Sequence, residues 1–229
     1  MAKAVVALIR HGDYHQLAHT PSAHQPFALN EAGIEQAKAC VEKITTMLQA
    51  NQWQLHPVIH SSNLLRGWQT ARILMDAMPS LQQLKGFDEL AERGMGSAAN
   101  LNVQQIETIL QQDPRFDAPP PDWKSNSHYQ LPLQGAESLM QAGQRVAKHL
   151  ISSLQQLSAN IETDTLQLVV GHGAAFRHAA YHMKVLAFED IARLSMFHAT
   201  PVAIAMNEEG SFLHVAGDWK QRNEQENLD

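Results

Sequence analysis

Two apolar stretches of this chain run straight into a histidine–glycine pair. "VALIRHGD" (residues 6–13) delivers Arg10, His11 and Gly12, and "LQLVVGHGAAFRH" (166–178) delivers His172 and Gly173. A neutral imidazole is a competent nucleophile toward phosphorus. Planar guanidinium groups match phosphate oxygens bidentately. A third stretch, "HSSNLLRGWQTA" (60–71), adds Arg66 at the start of an expected helix, where unpaired amides and the helix dipole already favour an anion. Phosphoryl transfer asks mainly for positioning and charge stabilisation, which Arg10, Arg66 and His172 can supply around His11. The leaving oxygen also needs a proton. Glu92, in "LAERGMG" (90–96), is the carboxylate best placed to give it, with Glu89 and Asp88 close by in sequence.

These residues act together only if the chain carries them to one place. Residues 4–9 are aliphatic without alternation, as in a strand covered on both faces. The segments 56–62 and 165–170 read as strands, and "LKGFDELAE" as a further strand or strand end. Between them lie amphipathic helices. One runs from Asn30, its cap, through Ile34, Ala37, Val41, Ile44 and Leu48. Another passes through Leu65, Ala71 and Leu74, capped by Ser62 or Asn63. A long one after Gly135 uses Leu139, Val146, Leu150, Ile151 and Leu154, and a shorter one spans about 174–185. "TPVAIAMN" and "SFLHVAG", joined by "EEG", read as two antiparallel edge strands. The alternation implies an α/β fold, a three-layer α/β/α sandwich with a mostly parallel central sheet. Ligands bind such sheets beyond the carboxyl ends of the strands, where Arg10, His11, Ser61–Arg66, Glu92 and His172 all fall. Glycines at 12, 171 and 173 are expected to open room for a ligand, which makes Gly173 a candidate substrate contact.

Residues 97–135 break the alternation. A short helix (101–112) is followed by "DPRFDAPPPDWKSNSHYQLPLQG", too rich in proline and polar groups for a central strand. The expectation is one domain, 1–229, with a lid-like insertion at 97–135 over the active-site rim and a frayed tail at 221–229. Trp123, His128 and Tyr129 of the insertion are candidates for substrate contact or for packing among themselves. The net charge of −6 argues against nucleic acid and does not favour an anionic membrane. No apolar run approaches the roughly 20 residues that span a bilayer. A single cysteine, Cys40, rules out an internal disulfide framework; with no signal pattern at the N-terminus, a cytoplasmic location is expected. His11, His15 and His19 recur every four residues, as do His178 and His182. The first set runs into Thr20-Pro21, and the second lacks the glutamate of a zinc-protease helix, so no metal site is expected.

"LIRHGD" resembles the Arg-His-Gly signature of the histidine phosphatase superfamily, in its phosphoglycerate-mutase-like branch. The resemblance continues in family order through "LNEAGIEQA" (29–37), "HSSNLLRGWQTA", "LAERGMG", "GAESLMQAGQRV" (135–146) and "VVGHGAAFRH" (169–178). It implies His11 as the phosphorylated nucleophile, Arg10, Arg66 and His172 as phosphate ligands, Glu92 as proton donor, and no metal or organic cofactor. Ser22 stands near the position where mutase-type members place a hydroxyl on the substrate. Those members also carry a tyrosine, a lysine and paired arginines after the acid. This chain instead continues with Met95 and "SAANLNVQQ", and residues 93–135 hold Arg93, Arg115 and Lys124 against Glu107, Asp113, Asp117 and Asp122. "GHGA" departs from the His-Asp of acid phosphatases and phytases. The expected function is a metal-independent phosphomonoester hydrolase working through phosphohistidine. A phosphoglycerate-mutase-type phosphotransferase and a non-catalytic phosphoprotein-binding domain stand as alternatives. The expected partner is a phosphorylated small molecule or a phosphoprotein, with a homodimer possible through the C-terminal edge strand.

Overall fold

The structure is a computed structural model that describes residues 2–222. Its strands are β1 (Ala4–Arg10), β2 (Gln54–Leu55), β3 (Val58–Ser62), β4 (Gln83–Phe87), β5 (Thr165–Gly171), β6 (Leu194–Ser195), β7 (Pro201–Met206), β8 (Phe212–Ala216) and β9 (Lys220–Gln221). Its α-helices are α1 (Glu31–Asn51), α2 (Leu65–Ala77), α3 (Val103–Gln112), α4 (Leu139–Ser158), α5 (Gly173–His182) and α6 (Phe188–Arg193). The main sheet has the order β4-β3-β5-β1-β7-β8, with β2 also pairing β5. Four adjacent strands, β4 to β1, are parallel; β7 and β8 are antiparallel. The mostly parallel α/β/α sandwich is therefore what the chain forms.

Alternate residues of the central strands feed two cores. Val6, Leu8 and Val169 face α4 and α5, packing with Val146, Leu150 and Phe176. Val5, Ala7, Ile9, Leu168 and Val170 face α1 and α2, with Ile44, Leu74 and Cys40. Each fully buried aliphatic side chain of this kind contributes roughly 1.5–3 kcal/mol. The helix starts follow local chemistry. Gly33 N donates to Asn30 Oδ1, and Ser138 and Gln141 form a reciprocal capping box at α4.

Several expectations shift in detail. The buried stripe of α1 is Gly33, Ala37, Cys40, Ile44 and Met47, leaving Ile34 exposed, because Gly33 must pack against the backbone of Asp13. The cap position of α2 is Leu64, with no side-chain cap, rather than Ser62 or Asn63. The helix expected to 185 ends at His182, and Lys184 turns the chain in the left-handed region. Of the two strands expected at the edge only β8 lies there, since β7 lies between β1 and β8. Gln221, expected in the frayed tail, belongs to β9 and pairs with β6; the rest of that expectation, residues 223–229, lies outside the described residues.

Residues 97–135 form a third, smaller core in which Ile106, Leu110, Trp123 and Leu131 are buried with Met95 and Ala23. A bridge between Met95 and Ala136 closes its base. Trp123 is spent on this core, its Nε1 donating to Glu107, and His128 stacks on Phe188.

Helices α4 and α5 approach closely at Gly143 of α4, where an added Cβ would overlap Cβ of His178 on α5. Propensity alone favours Gly143→Ala by up to about 1 kcal/mol. Overlap in a packed contact costs about 1–3 kcal/mol and more where backbone must move. Gly143→Ala is expected to lower the unfolding free energy by roughly 1–3 kcal/mol in urea titration; a stabilised variant would show that propensity decides.

Candidate active site

The parallel register places the two histidine corners side by side. β1 and β5 pair from Ala4 with Thr165 to Arg10 with Gly171, and His11 N then donates to Gly171 O at 3.0 Å. β3 adds Ser61 opposite Val170 on the other side of β5, so Ser62 and the start of α2 reach the same rim. The chain leaving β4 makes a short 3-10 turn (Asp88–Leu90) and brings Glu92 over it.

His11 is buried, and two hydrogen bonds set its tautomer. Nδ1 donates to Gly12 O at 2.7 Å, while Nε2 accepts from Arg66 Nε at 3.1 Å. The lone pair is therefore on Nε2. Burial, then the charge of Arg66, the neighbouring His172 and Arg10 hold the His11 pKa well below its ordinary value, so the ring is uncharged at neutral pH. Arg66 is itself completely buried. Its remaining nitrogens donate to Gln25 O (3.0 Å) and Ala23 O (2.7 Å), and its guanidinium lies 4.5 Å from the Tyr14 ring centroid. None of the ion pairs among the described residues involves it. A buried cation with no directly paired carboxylate costs several kcal/mol, which an anionic ligand would offset.

His172 shows the same incompleteness. Ser62 Oγ accepts from Leu64 N (3.2 Å) and can give its hydrogen to His172 Nε2 (2.9 Å), which leaves the imidazole hydrogen on Nδ1. That buried Nδ1 has no hydrogen-bond partner among the described residues. Burial, then Arg66, lowers the His172 pKa as well. The His11 and His172 ring centroids are 5.0 Å apart. Ser62 thus orients His172 instead of capping a helix.

A cleft beside these rings is lined by Arg10, His11, Ser22, Glu92, Arg93, Leu139, Gly173 and Ala174. All the residues expected at the site meet here or directly beneath it. Glu92 is buried and its Oε1 accepts from Arg93 N at 2.9 Å; Glu89 is exposed, its carbonyl turned to Arg145. Ser22 bonds to Tyr14 Oη at 3.1 Å. Of the three glycines expected to make room for a ligand, only Gly173 lines the cleft, and a Cβ there would lie 3.2 Å from Arg10 Cδ. Gly12 makes room for the Gly33 carbonyl of α1, and a Cβ on Gly171 would lie 2.6 Å from the Phe176 ring.

Several supports of the site carry no signal in the sequence blocks. Arg145 donates to the carbonyls of Glu89 (2.7 Å) and Ala91 (3.1 Å) and pairs with Glu137, whose Oε2 also accepts from Gly94 N. It holds the Glu92 loop from below. His198 Nδ1 donates to His11 O at 2.6 Å, and Thr70 Oγ1 accepts from Gly12 N at 3.0 Å. Arg145 and Thr70 stood inside quoted motifs, but only contacts 54 and 58 residues away in sequence reveal their work. The second histidine pair is held by local contacts: His178 bonds Ala174 O and Ser127, and His182 bonds Met140 O. Residues 11–20 are not helical, so His15 and His19 share no helix face with His11.

An α/β/α sandwich that gathers two buried histidines, the buried Arg66 and the half-buried Arg10 at its strand ends is an arrangement suited to an anionic ligand. Residues 6–218 match the model of the histidine phosphatase superfamily (branch 1), and the chain belongs to that superfamily. Its fold is similar to a mycobacterial glucosyl-3-phosphoglycerate phosphatase (20% identity, TM-score 0.66, covering 96% of this chain and 98% of that one). It is also similar to the α-ribazole phosphatase from Shigella flexneri (20%, 0.69, 93% and 95%). A phosphoserine phosphatase from Entamoeba histolytica, in complex with 3-phosphoglyceric acid, is similar at 14% identity (0.63, 96% and 98%). At these identities the likeness establishes the shared fold. No curated protein matches the chain. Among the described residues no helix is long and apolar enough to cross a membrane.

The buried histidines make stability acid-sensitive. Burial lowers His178 to about 4 and His60 to about 3, against 6.5 when unfolded, and lowers His149 as well as His11 and His172. The unfolded chain therefore takes up protons first as pH falls. The stabilisation is complete above about 6.5 and is lost below it, each histidine adding up to about 1.4 kcal/mol per pH unit. Urea midpoints are expected to fall steadily from pH 6.5 to 5, above the carboxylate range, and less steeply in His60→Gln. A flat profile over that window would contradict the neutral-histidine assignment.

Proposed function

We propose that the protein is a phosphomonoester hydrolase that works through a phosphohistidine on His11. The observation that carries this reading is the uncharged, buried His11, its lone pair on Nε2 beside a guanidinium that lacks an ionic partner. A phosphomonoester entering the cleft takes over the Arg66 donor, and the Nδ1–H of His172 and the guanidinium of Arg10 hold its other oxygens. Nε2 attacks phosphorus in line. The P–O bond to the leaving group breaks, and Glu92, as a carboxylic acid, gives that oxygen its proton. The phosphoimidazole retains its Nδ1 hydrogen on the Gly12 carbonyl, which stabilises the charge the ring acquires. Water then attacks phosphorus, the Glu92 carboxylate accepts its proton, and the P–N bond breaks to regenerate neutral His11. In this reading the arginines and the amides at the start of α5 stabilise the developing charge, so no metal is called for.

The neighbours' names denote phosphatases of phosphorylated small molecules, which supports a small phosphorylated metabolite over a phosphoprotein as substrate. A cytoplasmic location goes with this reading, since the one cysteine is buried and its thiol is pushed up to about 12.

Rapid quenching during turnover of an aryl phosphate, in buffer containing a chelator, tests the proposal. The expected result is acid-labile, alkali-stable phosphate on the wild type and none on His11→Ala, with catalysis lost and folding retained. An active enzyme with no trapped phosphate, or one silenced by the chelator and rescued by a metal, would sink the mechanism.

Glu92→Gln reports separately on the acid. Its kcat/KM is expected to drop by about 10²–10⁴ for alkyl phosphates. The loss should be far smaller for p-nitrophenyl phosphate, whose leaving group departs without full protonation. Equal losses on both substrates would assign the proton to another group.

A further inference from the structure

Tyr14 touches His11, Arg66 and Ser22 at once. It stands just past the corner that carries His11 and Gly12, and its backbone is bridged to Leu29, where the chain approaches α1. That bridge turns the side chain inward, and only 4% of the residue is exposed. The ring meets His11 edge-on, with interplanar angle 87° and centroids 5.4 Å apart. The same ring lies against the face of the buried Arg66 guanidinium, whose central carbon is 4.5 Å from the ring centroid. A ring face attracts a guanidinium, the more so where water is excluded. Arg66 is thus held at its edges by the carbonyls of Ala23 and Gln25 and across its face by Tyr14. In that plane its Nε–H points at His11 Nε2.

The hydroxyl sets a hydrogen direction. Tyr14 Oη and Ser22 Oγ are 3.1 Å apart, and Ser22, not Tyr14, lines the cleft. A phenol is a stronger acid than an aliphatic alcohol and so the better donor of such a pair. Burial raises the Tyr14 pKa, so the phenol keeps at neutral pH the hydrogen that it donates. With Tyr14 donating, Ser22 Oγ accepts, and its own hydrogen is left for the cleft. The reverse arrangement would leave only a Ser22 lone pair to face an anion there. We propose that Tyr14 is a positioning residue for the transferred phosphoryl group: its ring fixes the plane of Arg66, and its hydroxyl makes Ser22 a hydrogen-bond donor to a phosphoryl oxygen. The proposal rests on the phosphatase reading for the identity of the group in the cleft.

The ring and the hydroxyl can be removed one at a time. Tyr14→Phe keeps the ring, Tyr14→Leu loses both, and Ser22→Ala removes the group that is oriented. Calorimetric titration with inorganic phosphate reads the site without turnover, and p-nitrophenyl phosphate reads it in turnover. Tyr14→Phe and Ser22→Ala are each expected to weaken phosphate binding by about three- to tenfold. The double variant should bind no more weakly than Ser22→Ala, because the two hydroxyls act as one unit. Tyr14→Leu should lose about a further tenfold in phosphate affinity and a matching factor in kcat/KM. Urea midpoints of the same variants separate these losses from destabilisation. A Tyr14→Phe variant altered only in its urea midpoint, or losses that add in the double variant, overturn the role of the hydroxyl. A Tyr14→Leu variant that binds phosphate as Tyr14→Phe does overturns the role of the ring. A wild type that hydrolyses no ester yet shows the coupled losses keeps Tyr14 as an organiser of the anion site and overturns the phosphatase reading.

Discussion

Keeping a histidine uncharged and fixed in orientation between two guanidinium groups is the constraint around which this molecule is arranged. The His11 ring is anchored at both nitrogens, by the Gly12 carbonyl and by Arg66. Burial and positive neighbours both oppose its protonation, and neither would suffice as well alone. The cost is a set of buried polar groups with incomplete partners, namely the guanidinium of Arg66 and the Nδ1 of His172. Such groups are tolerated where a ligand of opposite charge completes them.

The surrounding structure answers to that constraint. Arg66 reaches across the site to the carbonyls of Ala23 and Gln25 and so organises the loop between β1 and α1. Ala23 in turn packs into the core formed with residues 97–135. Residues 97–135 therefore bear on the site by supporting this loop, while the described residues that line the cleft come from elsewhere. On the opposite side, Arg145 and Glu137 hold the loop that presents Glu92, using backbone carbonyls and one amide as fixed points. Two arginines at two depths thus do different work: Arg66 faces His11 and Arg145 braces the Glu92 loop.

The sequence alone determined the layered fold and most of the site, because each depends on short-range pattern. Unbroken aliphatic runs followed by His-Gly mark strand ends, and strand ends of a parallel sheet converge by topology whatever their separation along the chain. Asn30 and Ser138 announce their helices by local hydrogen bonding, which needs no tertiary partner. Tertiary structure alone decided which atoms matter. The tautomer of His11, the role of Ser62 in orienting His172, and the placement of Glu92 in the cleft while Glu89 faces solvent all depend on groups far away in sequence. Gly12 and Gly171 looked like openings for a ligand, but they are close approaches to Gly33 and Phe176, which no periodicity encodes. The contacts of Tyr14 with Arg66 and Ser22 were equally illegible, since a tyrosine just past a strand end signals no partner until the bridge to Leu29 turns its side chain into the site.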